Sequence, residues 1–157
     1  MKLPFGSRRL PADVVIERGE RVLTHARSAD SGHVVATDHA LYLPGGVRLP
    51  WHTIERGTWS EEGLHVRTTD GATHEVAVPE PGRLPETVHE RVMSSIVVTR
   101  HVKLPGRGGV QLVARRVPGR NEPVWDFLFD EGLDPSDPGL RALAEQSLEE
   151  VRRSLGV

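Results

Sequence analysis

The chain has 157 residues, 37% hydrophobic and 27% charged, a balance that fits a folded globular protein better than a disordered one. A formal net charge of −2 gives no whole-molecule reason to expect nucleic acid or a membrane as partner. The absence of cysteine excludes disulfides and thiolate metal sites and suits a reducing cytosol.

Residues 1–12, with two prolines, a glycine and the pair Arg8-Arg9, read as a loose N-terminal arm. The opening MKLPFGSRRLPADVV has no apolar run of signal-peptide length, and no run of about 18 apolar residues occurs anywhere. The expected location is the cytoplasm. Strands are then predicted over 13–17, 21–28, 33–37, 40–43, 47–51, 54–60, 64–69 and 73–78. The punctuation between them is Arg18-Gly19, Asp30-Ser31-Gly32, Pro44-Gly45-Gly46, Glu61-Glu62-Gly63 and Asp70-Gly71. Many short strands at near-regular spacing point to a meander folded as a barrel or sandwich.

The hairpin around Asp70-Gly71 can be read to its register. Leu64, Val66, Val76 and Val78 are all even-numbered, and side chains alternate faces with period two, so partners must sum to an even number. A two-residue loop gives the wrong parity. A three-residue loop, Thr69-Asp70-Gly71, sets Leu64 opposite Val76, Val66 opposite His74 and His65 opposite Glu75, with Gly71 at the left-handed position.

Pro79, Pro81 and Gly82 end the meander. A helix follows over 85–96, with Pro85 at its first position and Val88, Val92 and Ile96 on one stripe. A second hairpin is predicted from 96–104 and 109–117 around Pro105-Gly106-Arg107-Gly108, then a strand over 123–130 carrying Trp125, Phe127 and Phe129 on one face. Asp137 before Pro138 is an N-cap that starts a last helix. Its apolar stripe is Leu140, Leu143, Ala144, Leu148, Val151 and Leu155, expected to dock on that aromatic face, and Glu149 and Arg153 make an i,i+4 pair worth about 0.3–0.5 kcal/mol.

Five elements together resemble the bacterial pleckstrin-homology-like group, including GRAM-type domains. They are Gly19-Glu20-Arg21-Val22-Leu23, Ala36-Thr37-Asp38-His39-Ala40-Leu41-Tyr42-Leu43, Leu49-Pro50-Trp51-His52-Thr53-Ile54, Leu64-His65-Val66 with Asp70-Gly71, and the helix after Pro85. The resemblance covers residues 13–98. It implies two packed, nearly orthogonal sheets closed at one end by a helix, and a binding module for proteins, peptides or phosphoinositide-like headgroups with no active site. The expected fold is therefore α+β: a PH-like antiparallel β-barrel or two-sheet meander with its helix, extended by a second β-segment and a C-terminal helix. Residues 13–157 are expected to form a single domain, with 13–98 as the PH-like core and 99–157 as the extension. Thr37, Asp38, Trp51 and Ile54 are expected in turn and core roles.

No catalytic constellation emerges. The eight histidines, at 25, 33, 39, 52, 65, 74, 89 and 101, lack metal-ligand spacing. His65 near Glu75 reads as a surface pair, and strand alternation would send Asp38 and His39 apart. Gly106-x-Gly108-Gly109 lacks the helix and the Gly-Lys-Ser/Thr ending of a phosphate loop. Asp130, Glu131, Asp134 and Asp137 miss the calcium-loop spacing and suit turn and cap chemistry. No metal, cofactor or catalytic residue is assigned, and a hydrolase using histidine and aspartate is the third reading.

The charge distribution is asymmetric. Residues 100–120 hold Arg100, Lys103, Arg107, Arg115, Arg116 and Arg120 with no acid, whereas 121–157 hold nine acids against three arginines, a net of −6. Either Arg100, Lys103, Arg107, Arg115 and Arg116 bind an anion or a partner, or the basic run pairs with the acidic tail. The primary expectation is a non-catalytic binding or scaffold module for a protein partner. The alternative is a nucleic-acid or anionic-ligand binder using the basic hairpin.

Overall fold

The computed structural model describes residue 11 and residues 13–156, so the arm expected over 1–12 lies almost wholly outside the described residues. The architecture is α+β, with three antiparallel sheets and two α-helices. The chain divides into two compact units, one ending at Ser95 and the other beginning at Ile96.

In the first unit a four-stranded meander comes first: β1 (Val22–Arg27), β2 (His33–Thr37), β3 (Ala40–Leu43) and β4 (Val47–Pro50). A 3-10 turn, Trp51–Thr53, leads into a three-stranded meander of β5 (Ile54–Ser60), β6 (Gly63–Thr68) and β7 (Thr73–Val76), followed by α1 (Leu84–Ser95). Alternation decides what each strand buries. Val34, Ala36, Leu41, Leu43 and Leu49 from the first sheet share one core with Ile54, Leu64 and Val66 from the second and with Leu84, Val88 and Val92 of α1. The opposite face of the first sheet buries Val22, Val35, Ala40 and Tyr42, with Val14 and Ile16 packed on them. Trp51 is buried at the corner, where its Nε1 donates to the Thr37 carbonyl at 2.8 Å, and Thr37 Oγ1 accepts from the Ala40 N–H at 3.0 Å.

The register of β6 and β7 is the one parity requires: Leu64 opposite Val76, His65 opposite Glu75, Val66 opposite His74. Thr68 N–H donates to the Ala72 carbonyl at 2.9 Å, leaving Thr69-Asp70-Gly71 as the loop, with Gly71 at φ 91°. Gly63 is required by close approach, since a Cβ there would lie 2.2 Å from the Val76 carbonyl oxygen.

Three expectations need correction. The strand predicted over 13–17 joins no ladder. Its alternation survives, with Val14 and Ile16 inward and Val15 86% exposed, but the Glu17 N–H goes to the Tyr42 hydroxyl at 2.9 Å and not to a strand. Among the described residues the sheets remain separate and do not close into a barrel. A single hydrogen bond, Ala29 N–H to Ala77 O at 2.8 Å, lies where a ladder between β1 and β7 would have to continue. Pro50 ends β4, and Pro79 and Pro81 follow β7, so the chain lacks the amide donors that longer edges would need. Asp38 and His39 occupy the tight connection between β2 and β3, not a strand, and their side chains approach to 3.9 Å instead of diverging.

The second unit is a three-stranded sheet in the order β10-β9-β8, built from β8 (Ile96–Leu104), β9 (Gly108–Arg115) and β10 (Val124–Phe129), with α2 (Pro138–Leu155). α1 runs into β8 without a loop. Pairing sets Trp125 opposite Ala114, Phe127 opposite Leu112 and Phe129 opposite Val110, all on one face. That face packs with Leu140, Leu143, Ala144, Leu148 and Val151 of α2. Asp137 caps α2 by accepting from the Gly139 N–H at 2.9 Å, and Pro138 takes the first turn, where its missing N–H costs nothing. Glu149 pairs with Arg152 at 3.9 Å rather than with Arg153. Positions three and four apart on a helix are both neighbours, and here the closer turn is used.

Leu140 is 1% exposed whereas Leu148 is only half-buried, so the helix is anchored at its N-terminal end. Leu140→Ala is expected to lower stability by about 3 kcal/mol in urea denaturation, and Leu148→Ala by less.

Candidate functional site

The basic run is partitioned by the strands that carry it. Arg100 stands opposite Leu112 on the aromatic face of the sheet, and Lys103 stands opposite Gly109 on the other face; both are exposed. Arg107, in the β8–β9 turn, donates from Nη1 to Asp137 Oδ2 at 2.9 Å. The Arg107 hydrogen bond and the Gly139 amide hold the Asp137 carboxyl below its ordinary range, so the cap stays ionised. Arg115 is 1% exposed, and its Nε donates to Asp126 Oδ2 at 2.9 Å across the β9–β10 ladder, a diagonal cross-strand pair. Arg107 and Arg115 are thus engaged with acids from the C-terminal third. Asp134, also expected in a turn, is found there: its Oδ1 accepts from the Ser136 N–H at 2.9 Å and from its hydroxyl at 2.7 Å, whereas Asp130 Oδ1 lies 2.9 Å from His101 Nε2.

Arg116 leaves the end of β9 on the other side of the strand and enters a groove of about 420 Å³ within the second unit. Val97, Val98, Ala114, Pro123 and Trp125 supply its apolar lining, and Arg116, Arg120, Asn121 and Glu122 its polar lining. Two local features make it. The β8–β9 register advances by two residues on β8 for one on β9 between Ile96 and Val98, so Val97 is a bulge residue and is 47% exposed beside Val98. The β9–β10 connection, 116–123, turns at Pro118-Gly119, where Gly119 has φ 81° and the Arg120 N–H donates to the Val117 carbonyl at 3.1 Å. That turn returns Arg120 toward Arg116. Among the described residues no carboxylate lies within ion-pair distance of either arginine.

Of the five basic residues singled out in the sequence, only Arg116 lines this groove. Arg120, Asn121, Glu122 and Trp125 were not assigned to a site. The sequence shows Arg120 in the basic run and Trp125 on an aromatic strand face, but it does not bring them together, because the bulge at Val97 cannot be read without the register. Chemically, two guanidiniums beside an indole and aliphatic side chains suit an anionic group with an apolar neighbour. No histidine or serine lines the groove, so it holds no general base or nucleophile of those types.

Elsewhere, the Ser60 hydroxyl lies 3.1 Å from His65 Nε2, and His65 Nδ1 lies 3.2 Å from Glu75 Oε1. This is the order of a nucleophile, base and orienting acid. Ser60 Oγ also accepts from the Glu62 N–H at 3.2 Å, Glu75 is 74% exposed, and the adjacent concavity of about 160 Å³ is lined by His65 and Glu75 but not by Ser60. Among the described residues no group of three or more histidine, aspartate or glutamate side chains is placed to hold a metal, and no helix is long and apolar enough to cross a membrane. Comparison with protein-family models, with curated proteins and with solved structures gives no match, so the case for function rests on the geometry of this chain.

Proposed function

We propose that the chain is a non-catalytic binding module that recognises a protein partner, with a PH-like first unit and its recognition surface at the groove of the second. The observation that carries this reading is the groove itself: a half-exposed valine and a tryptophan beside two arginines that have no carboxylate within ion-pair distance among the described residues. A PH-like assignment of the first unit is supported by seven strands in strict sequence order, four and then three, a shared core, and a helix directly after the seventh. The nucleic-acid reading has less behind it, because Arg107 and Arg115 are held by Asp137 and Asp126 and Arg100 and Lys103 point to opposite faces.

The reading is tested by placing a photo-crosslinking amino acid at Val97 of the full chain and irradiating it in its source cells. The expected result is a discrete protein adduct that is absent when the same group is placed at exposed Ser94. Labelling of no protein at position 97 would remove the reading.

Hydrolysis is the second reading, and the Ser60–His65–Glu75 chain is the one observation that favours it. With Ser60 outside the neighbouring concavity, an activated ester is expected to be hydrolysed at the same rate by the wild type and by Ser60→Ala. A loss of turnover in Ser60→Ala, with folding retained, would replace the binding reading for the first unit with a catalytic one.

A further inference from the structure

We infer that the groove docks a short acidic peptide segment of the partner, with carboxylates on Arg116 and Arg120 and one apolar side chain against Val97 and Trp125. This rests on the protein-partner reading above and specifies the chemistry of the segment recognised.

The argument begins with charge. The second unit carries nine basic and nine acidic side chains, so it exerts no net attraction on anions. What selects a ligand is which charges remain unmatched, and where. Arg107 and Arg115 face carboxylates at 2.9 Å, and Arg141 and Arg152 have helix partners at 3.8 and 3.9 Å. Arg116 and Arg120 share one concavity and have no such partner among the described residues. A guanidinium left in a concave, partly apolar setting gains most from a charged acceptor, and it matches a carboxylate in the paired geometry of its fork.

Three features favour a peptide over a polyphosphate. Glu122 lines the same groove; it repels a continuous run of phosphates, whereas a peptide can offer it an amide N–H. The cations of the second unit that have no described ion-pair partner outside the groove, Arg100 and Lys103 on opposite faces of the sheet and Arg153 on α2, make no single track for a nucleic-acid backbone. Val97 is pushed outward by the bulge and Trp125 stands on the neighbouring aromatic face, so an apolar side chain next to the acids has a surface to cover. The volume, about 420 Å³, is of the size that holds a few side chains.

The test uses the full chain and fluorescence anisotropy. The probe is a short fluorescein-labelled peptide alternating glutamate and leucine, compared with a lysine–leucine peptide and a single-stranded oligothymidylate. Arg116→Glu with Arg120→Glu is set against Arg100→Glu with Lys103→Glu, which makes the same charge change outside the groove. Arg116→Gln with Arg120→Gln removes the charges without adding acids and serves if the reversal disturbs folding. Saturable binding of the glutamate–leucine peptide is expected. The groove reversal should weaken it roughly 100-fold, about tenfold for each charge-assisted contact, while the Arg100/Lys103 variant binds as the wild type does. The lysine–leucine peptide should gain affinity for the reversed groove. Equal losses in the two reversed variants, tighter groove-dependent binding of oligothymidylate, or no saturable peptide binding by folded protein would each overturn the inference. If the Val97 adduct forms but the acidic peptide fails, the partner reading stands and only the acidic chemistry falls; if no adduct forms, the partner reading itself falls.

Discussion

Arg115→Ala is expected to destabilise the protein by about 3–5 kcal/mol, because it empties a buried position and removes a charged hydrogen-bond partner from the part-buried Asp126 carboxylate. The Arg115 side chain is 2% exposed and that of Asp126 20%, so water can do little to replace the lost hydrogen bond. Arg115→Met with Asp126→Leu should recover much of the loss, since replacing both charged partners by apolar groups removes the desolvation cost together with the attraction. Urea denaturation of the two variants beside the wild type provides the check. Were Arg115 a ligand-binding residue awaiting an anion, its removal would leave stability nearly unchanged, within the roughly 0.5 kcal/mol seen for surface substitutions.

Glu20→Ala is expected to have an effect of similar size, about 3–5 kcal/mol, in the first unit. The Glu20 side chain is 1% exposed and accepts from the Tyr42 hydroxyl at 2.7 Å, from Arg48 Nε and Nη2 at 3.2 and 3.0 Å, and from the Thr37 hydroxyl. Removing it takes the acceptor from the Tyr42 hydroxyl and the nearer carboxylate from Arg48, which keeps Glu17 at 3.6 Å, while the Thr37 hydroxyl keeps the Ala40 carbonyl at 3.2 Å. Burial alone would raise the Glu20 pKa, but the hydrogen bonds from Thr37, Tyr42 and Arg48 outweigh it and hold the carboxyl below its ordinary value of 4.5. The unfolded chain therefore takes up this proton before the folded one does. The stabilisation is complete above about pH 4.5 and is lost as pH falls through the lower folded value. Asp13, Asp70, Asp134 and Asp137 are also lowered, so the difference between wild type and Glu20→Gln isolates the Glu20 contribution. That difference should be largest near neutrality and shrink in acid. A difference independent of pH would mean that Glu20 is not ionised in the folded protein.

Local chemistry was legible in the sequence wherever a short stretch settles it. Even-numbered Leu64, Val66 and Val76 with Asp70-Gly71 are enough to set one hairpin register, and Asp137-Pro138 is enough to start α2. The stripe of Leu140, Leu143, Ala144, Leu148 and Val151 and the Trp125-Phe127-Phe129 face indicate that helix and strand pack together. Pairings distant in sequence were not legible. The Glu20–Tyr42–Arg48 network joins residues up to 28 positions apart. Its one local clue is that Tyr42 and Arg48 face each other across the Gly45-Gly46 turn. The strand expected over 13–17 has the right alternation but no partner, a fact that periodicity cannot carry.

The site was legible only in part, for the same reason. The sequence places six bases between 100 and 120 and leaves open whether they bind a ligand or pair with the acidic tail. The fold does both with different members. Strand parity and the position of Asp126 bury Arg115, the cap of α2 takes Arg107, and the turn at Pro118-Gly119 brings Arg120 to Arg116. Adjacent Arg115 and Arg116 thus have opposite fates because neighbours on a strand face opposite ways.

That division of the arginines is the central claim, and nuclear magnetic resonance of the arginine side-chain Nε–Hε groups tests it most directly. On titration of the full chain with the glutamate–leucine peptide, the Arg116 and Arg120 resonances should shift in a saturable way, while those of Arg107 and Arg115 stay fixed by Asp137 and Asp126. Shifts at Arg107 and Arg115, with Arg116 and Arg120 unmoved, would contradict the account.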